Sequence, residues 1–432
     1  MAGHSVVVLG MGKTGLACVD YLYRQGVSPL VVDSRENPPG LASLPADVAR
    51  HCGDFPQELL CRAKTLVVSP GISLKQPAIE AARASGVEII GDIELFARAN
   101  RVPVIGITGS NGKSTVTTLV GLMAEKADLR VGVAGNIGTP VLSLLEESLD
   151  LCVLELSSFQ LETTFSLSCQ AATVLNLSED HMDRYLDIED YRAAKLRIYR
   201  GAQAVISNRQ DLRTYPLEAC PDFSFGSDNS GYGLLEVDGE CWLAVEGEPV
   251  MNTRDMGLLG RHNQLNALAA MALADRVGIQ REAQLAALRE FSGLAYRCEL
   301  VANKNGVLWV NDSKATNVGA TIAAIEGLEG QYSGRLFLLA GGQGKGQDFS
   351  PLEPLLNHQV HQTICFGEDG DAIAGLTPQH HRVDSLEQAI DYCSNQVCAG
   401  DLVLLAPACA SFDQFVSFEA RGARFNQLVE LL

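Results

Sequence analysis

The stretch PVIGITGSNGKSTVTTLV, residues 103–120, runs an apolar segment straight into Gly109-Ser110-Asn111-Gly112-Lys113-Ser114-Thr115 and then into a helix-like segment. Glycines in such a loop let backbone amides close on a polyphosphate, and the helix N-terminus that follows favours negative charge. Lys113 is placed to reach terminal phosphates, and the Ser114 hydroxyl to hold Mg²⁺. The spacing departs by one residue from the general phosphate loop: Ile107 stands where its first glycine belongs, and the nearest upstream glycines are Gly106 and Gly109. The strand, loop and helix setting still predicts an ATP-binding α/β unit, with a helix from 114 to about 126.

Upstream, VVVLGMGKTGL at 6–16 reads as a strand followed by Gly10-x-Gly12-x-x-Gly15 opening a helix, and VVDSR at 31–35 ends a second strand on Asp33. The pattern is that of a dinucleotide site, but alone it is weak, because glycines in a tight strand-to-helix turn also serve close packing. An ATP loop in the next unit makes hydride transfer here the lesser reading and another nucleotide-bearing ligand the better one. The runs VVVLG, PLVVD, TLVVSPG and VEIIGD alternate with helical stretches at 16–25 and 77–85, giving a small doubly wound unit over 1–91.

Downstream, RVGVAG, DLCVLELS, AATVLNL and AQAVISN continue the second α/β unit over 92–295. Residues 220–259 read as hairpin material attached to it, and 262–278 as an apolar helix ending at Gly278. FSGLAYR at 291–297 reads as a linker. The pattern then restarts over 296–432 with GVLWVND, RLFLLAGG, TICFG and DLVLLAP, and a closing helix at 412–431. Three α/β units in series are expected, each able to place a ligand at the carboxyl ends of its strands.

Composition agrees with an enzyme of several cores: 432 residues, 47% apolar and 20% charged. A net charge of −19 makes nucleic acid or an anionic membrane surface a poor main partner, so an anionic ligand needs a local positive site. The N-terminus enters a strand pattern with no leader-like segment, and no apolar run reaches membrane-span length, so a cytoplasmic protein is expected. Twelve scattered cysteines show neither a C-x-x-C pair nor zinc spacing and read as reduced, mostly packed thiols. No coiled-coil pattern is present, and a monomer is the expectation.

TGSNGKST, ELSSFQLE at 155–162, LNLSEDHMDRY at 175–185, YRAAKLRIY at 191–199, GRHNQLNALAA at 260–270, NDSKATN at 311–317 and PACASFDQF at 407–415 together resemble the Mur ligase family. The resemblance covers the chain in order. It implies a Rossmann-like N-terminal domain, a central P-loop ATPase-like domain and a Rossmann-like C-terminal domain. Within the family the motifs are closest to the member that adds D-glutamate to UDP-N-acetylmuramoyl-L-alanine with ATP, through an acyl phosphate. No DNPR-like motif is present in the third unit, which speaks against the diaminopimelate-adding sister, and the complete first unit speaks against the related folate enzyme. A nucleotide switch without ligase chemistry remains the rival of a different class.

The resemblance implies site residues position by position. Lys13, Thr14, Asp33, Ser34, Arg35 and Gly71 would line the uridine diphosphate site, with Asn136, Gln160 and His181 at the muramoyl-alanine end. Asn263, Arg297 and Asp312 would join the phosphate loop on ATP. Glu155, at the end of the strand LCVLE, and His181 would serve as Mg²⁺ ligands, although a strand-end carboxylate is also a common ion-pair partner and a lone histidine is more often structural. Lys195, a salt-bridged or snorkelling surface lysine on the bland reading, would be carbamylated by CO₂ and help to hold a second Mg²⁺. Lys113, Glu155, His181 and Lys195 would then form the catalytic set, and Thr316, Lys345, Ser411 and Phe418 the D-glutamate pocket. The chain departs from the family at Tyr296-Arg297, where His-Arg is usual, which leaves that histidine's job in question.

Overall fold

The computed structural model describes residues 5–218, 220–258 and 260–432. Leu259, at the end of the expected hairpin region, and Ala219 lie outside the described residues, as do residues 1–4. Three sheets form in chain order, one from each of the expected strand patterns.

The N-terminal sheet is five parallel strands in the spatial order Ala49–Cys52, Leu30–Asp33, Val6–Leu9, Thr65–Val68, Glu88–Ile90. Val8 lies opposite Val31 on one side and Val67 on the other. The winding reverses between Val6–Leu9 and Thr65–Val68, so the loops after Leu9 and Val68 part and leave a crevice at the strand ends. The strand Ala49–Cys52 has no apolar run to announce it; as an edge strand with no fully buried residue it needs none.

The central sheet has nine strands. Val104–Thr108, which feeds the phosphate loop, is buried throughout between Leu151–Glu155 and Ala171–Val174, with Val131–Gly135 beyond the first and Val205–Asn208 and Phe223–Phe225 beyond the second. Tyr232–Val237, Glu240–Val245 and Glu248–Asn252 extend the sheet as an antiparallel meander. Its turns, Asp238-Gly239 and Glu246-Gly247, have positive φ at both residues, the two-residue form that matches strand twist. The helix expected from 114 to about 126 forms as Lys113–Lys126 and is apolar on more than one face. It is enclosed by the sheet and by the helices Arg261–Asp275 and Arg281–Glu290, so Val116, Leu119, Val120 and Met123 share a core with Leu268, Met271 and Leu288. Each such side chain, fully buried, contributes about 1.5–3 kcal/mol.

The C-terminal sheet runs Glu299–Lys304, Val307–Asn311, Leu402–Leu405, Leu336–Gly341, Gln362–Phe366, His380–Arg382. Its four inner strands are the four expected. The two edges, ELVANK and HHR, are largely polar and gave no apolar signal. The closing helix is Phe418–Leu431, capped by the Ser417 side chain accepting from the Ala420 amide, and it starts later than the expected 412.

The first two units share one apolar cluster, in which Cys18, Val19, Leu22 and Phe96 pack with Leu142, Leu144 and Leu161. The C-terminal unit keeps its own two clusters. Its contacts with the central unit include the polar pairs Arg297–Ser114, Asn317–Asn111 and Lys345–Asp180.

Candidate active site

The carboxyl ends of the central and C-terminal strands face one cavity of about 1370 Å³. Ser110 to Thr115 enter it from the phosphate loop, where Gly112, with φ of 81°, caps the helix; Gly109 lies just beneath. Lys113 Nζ donates to the Gly109 and Ser110 carbonyls at 2.8 Å each. Arg297, from the third unit, donates to Ser114 Oγ at 2.7 Å and so ties the linker to the phosphate loop.

Glu155 ends its strand inside this cavity, 1% exposed. Its Oε1 accepts from Asn136 Nδ2 at 2.8 Å, while Oε2 is buried with no hydrogen-bond partner among the described residues. A buried carboxylate oxygen without a partner is expensive unless a ligand supplies one. Lys195, read on the bland view as a surface lysine, is 2% exposed. Its Nζ donates to the Gly109 carbonyl at 2.9 Å and lies 4.6 Å over the Tyr191 ring, and it forms no ion pair with a carboxylate among the described residues. Burial, with Lys113 nearby, pushes its ammonium well below the ordinary lysine range.

Lys113, Lys195, Arg297 and Lys314 gather around the phosphate loop, Lys195 buried and the other three partly buried. Burial lowers Lys113, and it lowers Lys314 to about 8 with the help of Arg297 and Lys113. Arg297 is lowered for the same first reason, and burial pushes Asp312 up to about 6. Four cations gathered and partly desolvated by one fold is a costly arrangement that an anionic, polyphosphate-like ligand relieves.

The third unit supplies the opposite wall. Thr316, Lys345, Ser411 and Phe418 all line the cavity, and Ser411 Oγ is buried with no partner among the described residues. Lys345 reaches across to Asp180 of the central unit, Nζ to Oδ1 at 3.6 Å, with His181 on the same carboxylate at 3.7 Å. Burial works to raise Asp180, but His181, Lys345, Lys113 and Lys195 together pull it below the usual range. His181 and Lys345 both carry positive φ, 60° and 55°, a strained backbone for non-glycine residues and one that clusters at ligand sites. Arg421, 1% exposed, braces this wall by donating to the Ser313 and Cys409 carbonyls at 2.9 and 3.0 Å.

A second cavity, of about 570 Å³, opens at the winding reversal of the N-terminal sheet. Lys13, Thr14, Asp33, Ser34, Arg35 and Gly71 line it, as do Asn136 and Gln160; His181 lines only the larger cavity. Asp33 accepts from the Met11 amide at 2.7 Å and is held near pKa 2 chiefly by the Arg35 guanidinium. Asn136 borders both cavities; its partner Glu155 lines the larger one and Gln160 the smaller.

Every residue of the sequence-derived site therefore borders one of these two cavities, except Gly109 beneath the loop. Asn263 is buried in the larger one. Sequence reasoning assigned no role to Asp180, although it stands in the quoted EDH triplet, or to Asn176, whose Oδ1 accepts from the Asn111 amide at 2.8 Å. Tyr296 is not at the cavity. Its amide donates to Glu299 at 2.8 Å and its ring packs on Gly422, where an added Cβ would come within 2.4 Å of it. Arg297 enters the cavity without an aromatic partner from position 296.

A phosphate-loop unit joined to two Rossmann-like units, with a cationic cavity between the second and third, defines an ATP-using three-domain protein. The Mur ligase MurD-like N-terminal domain matches residues 4–91, the Mur ligase middle domain 107–274 and the Mur ligase glutamate ligase domain 296–409; the chain belongs to the Mur ligase family. The UDP-N-acetylmuramoylalanine–D-glutamate ligase of Yersinia pseudotuberculosis is 54% identical, over 100% of this chain and 99% of its own. The enzyme of that name from Escherichia coli K12 is 52% identical over the same shares. The MurF ligase of Thermotoga maritima in complex with ADP shares the fold, with a TM-score of 0.62 at 18% identity over 99% of this chain and 95% of that one.

Proposed function

We propose that this chain is the ATP-dependent amide ligase that joins D-glutamate to UDP-N-acetylmuramoyl-L-alanine, a cytoplasmic step of peptidoglycan precursor synthesis, and that it works as a monomer. The observation that carries the reading is the position of Asn136 on both cavities, hydrogen-bonded to Glu155 of the ATP cavity and sharing the lining of the other with Gln160. A long anionic substrate can seat its nucleotide at the glycine turn and its carboxylate beside the phosphate loop.

The alanyl carboxylate oxygen takes the γ-phosphoryl group of ATP, and ADP leaves. The D-glutamate amine, having lost a proton, attacks the acyl carbon; a C–N bond forms, the C–O bond to phosphate breaks, and inorganic phosphate departs. Lys113 and Arg297 hold the triphosphate, while Asn263 and Asp312 place the nucleoside. Lys345 and the hydroxyls of Thr316 and Ser411 receive the carboxylates of D-glutamate beside Phe418. Lys13, Thr14, Asp33, Ser34, Arg35 and Gly71 hold the uridine diphosphate. Apposition of the third unit brings amine and acyl phosphate together and keeps water out.

Ser114 and Glu155 fit a Mg²⁺ ion: both are oxygen donors, and Glu155 Oε2 is buried without a partner among the described residues. No group of three or more His, Cys, Asp and Glu side chains suited to a metal occurs among the described residues; a Mg²⁺ ion here would keep waters and phosphate oxygens as its remaining ligands. His181 and Lys195, the latter carbamylated, would hold a second Mg²⁺; bound ions neutralise charge on the transferring phosphoryl group. Among the described residues no helix is long and apolar enough to cross a membrane.

The test is phosphate release from ATP with UDP-N-acetylmuramoyl-L-alanine, with and without D-glutamate, L-glutamate or diaminopimelate. Release that needs both the muramoyl nucleotide and D-glutamate supports the reading. Release indifferent to the amino acid would instead favour a nucleotide switch.

A further inference from the structure

Asp92 opens the helix Asp92–Ala99, at the junction of the first two units, and belongs to the cavity of the glycine turn. It is 5% exposed, yet its Oδ1 has no hydrogen-bond partner among the described residues. Its Oδ2 accepts from Gln160 Nε2 at 3.4 Å. A position in the first helical turn accounts for a negative charge there, but not for a buried oxygen left without a donor. Burial pushes the carboxyl up to about 6 against the pull of the Gln160 side-chain amide and of the Ile93 and Asp92 backbone amides, none of which makes a hydrogen bond to Oδ1.

Gln160 is not free to turn. Its Oε1 accepts from the Ser157 amide at 3.1 Å, and its own amide donates to Ser157 Oγ at 3.2 Å, a reciprocal helix cap. Its Nε2 therefore faces Asp92. One carboxylate oxygen is engaged by a fixed donor and the other is left for a ligand.

We infer that Asp92, oriented by Gln160, is a specificity-determining residue for the substrate of this cavity, its Oδ1 accepting a hydrogen bond from a neutral N–H or O–H of the arm between diphosphate and reacting carboxylate. This rests on the reading of the substrate as a nucleotide-linked sugar bearing an amino acid. A phosphate oxygen has no donor to offer a carboxylate and would be repelled by it; the glycine turn and Lys13 suit the diphosphate instead. Sugar hydroxyls and amide N–H groups are the donors such an arm carries, and Gln160 and Asn136 mark its way toward Glu155.

The experiment is calorimetric binding of UDP, UDP-N-acetylmuramate and UDP-N-acetylmuramoyl-L-alanine to the full chain and to Asp92→Asn. In the variant, Gln160 Nε2 claims the amide oxygen, and an NH₂ group is turned toward the ligand's donor. Affinity for the complete nucleotide is expected to fall ten- to hundredfold, as for a lost hydrogen bond to a charged group. UDP affinity and the KM values for ATP and D-glutamate are expected to stay within about twofold of wild type. A deficit that first appears with the muramate places the donor on the sugar; one that appears only with the alanine places it on the alanyl amide. Either supports the proposal. Equal affinity of wild type and variant for all three ligands, or a parallel loss that includes UDP, overturns it. A wild-type chain that binds none of the three overturns the substrate reading itself. Asp92→Ser, smaller and neutral, is the second variant: if Asp92→Asn does not fold, the same pattern across the three ligands is expected from it, and the same equal or parallel results overturn the proposal.

Discussion

The side-chain amides of Asn111 and Asn317, 206 residues apart, pair reciprocally: Asn111 Nδ2 donates to Asn317 Oδ1 at 3.4 Å and Asn317 Nδ2 to Asn111 Oδ1 at 3.2 Å. One sits in the phosphate loop and the other caps the helix Val318–Gly327 through the Ala320 amide. The pair ties the third unit to the nucleotide site with hydrogen bonds rather than apolar area. Asn317→Ala loses both cap and pair and should lower stability by about 1–2 kcal/mol, against under about 1 kcal/mol for Asn111→Ala. Urea unfolding checks the order. Small-angle scattering should show a larger radius of gyration for both variants without ligands, and an unchanged radius would show that the pair does not hold the units together.

The three glycines of the first turn do different work. A Cβ on Gly15 would lie 1.8 Å from the Gly10 carbonyl oxygen, whereas one on Gly12 would meet nothing within 4 Å. Gly15 is needed for helix-to-strand packing and Gly12 for open space in the cavity. Gly15→Ala should therefore destabilise the chain by more than about 2 kcal/mol. Gly12→Ala should leave the melting temperature near wild type while weakening UDP binding severalfold. A thermal scan and a UDP titration of the two variants separate the roles.

What the sequence announced follows from which residues carry a local signal. Glu155 was legible because an apolar strand ends on it, and Lys113 because glycines and a helix surround it. Asp180 was not assigned, because its importance depends on Lys345 arriving from 165 residues away. Asp92 was legible only as the last residue of the apolar run VEIIGD, since neither its burial nor its distance to Gln160 is written locally. The polar edge strands Glu299–Lys304 and His380–Arg382 were missed for a related reason: an edge needs only one paired side and little apolar content. The burial of most of the helix Lys113–Lys126 was hidden too, because it is imposed by two helices more than 130 residues downstream.

Arg297 joins Ser114 through a partly buried guanidinium whose pKa desolvation lowers. A lysine there keeps the charge but loses the planar fork and its reach to both hydroxyl and phosphate. Arg297→Lys should raise the KM for ATP and lower kcat/KM by ten- to a hundredfold with little change in melting temperature. Lys113→Ala should cost a further order of magnitude, since it removes the charge on the terminal phosphates. Steady-state kinetics at saturating muramoyl nucleotide and D-glutamate measure both.

At the opposite end of the C-terminal sheet, Asp401 is 1% exposed and accepts from the Arg335 amide at 2.8 Å, from Arg335 Nη2 at 2.7 Å and from the Cys398 amide at 2.9 Å. Burial acts to raise its carboxyl, but these donors outweigh it and bring the folded-state value from 3.8 to about 2. Because the folded value is the lower one, ionised Asp401 stabilises the fold fully above the unfolded value. That contribution fades as pH falls through 3.8 toward about 2, where the folded chain also takes up the proton. Asp401→Asn cannot titrate and leaves Arg335 without its anion. The variant should be about 2 kcal/mol less stable than wild type at neutral pH, with the gap constant down to about pH 5 and closing below that as the wild type loses its advantage. Urea unfolding of both chains across that range is the measurement, and a gap that widens in acid would contradict the sign of the shift. Activity at neutral pH should not change, because Asp401 borders neither cavity.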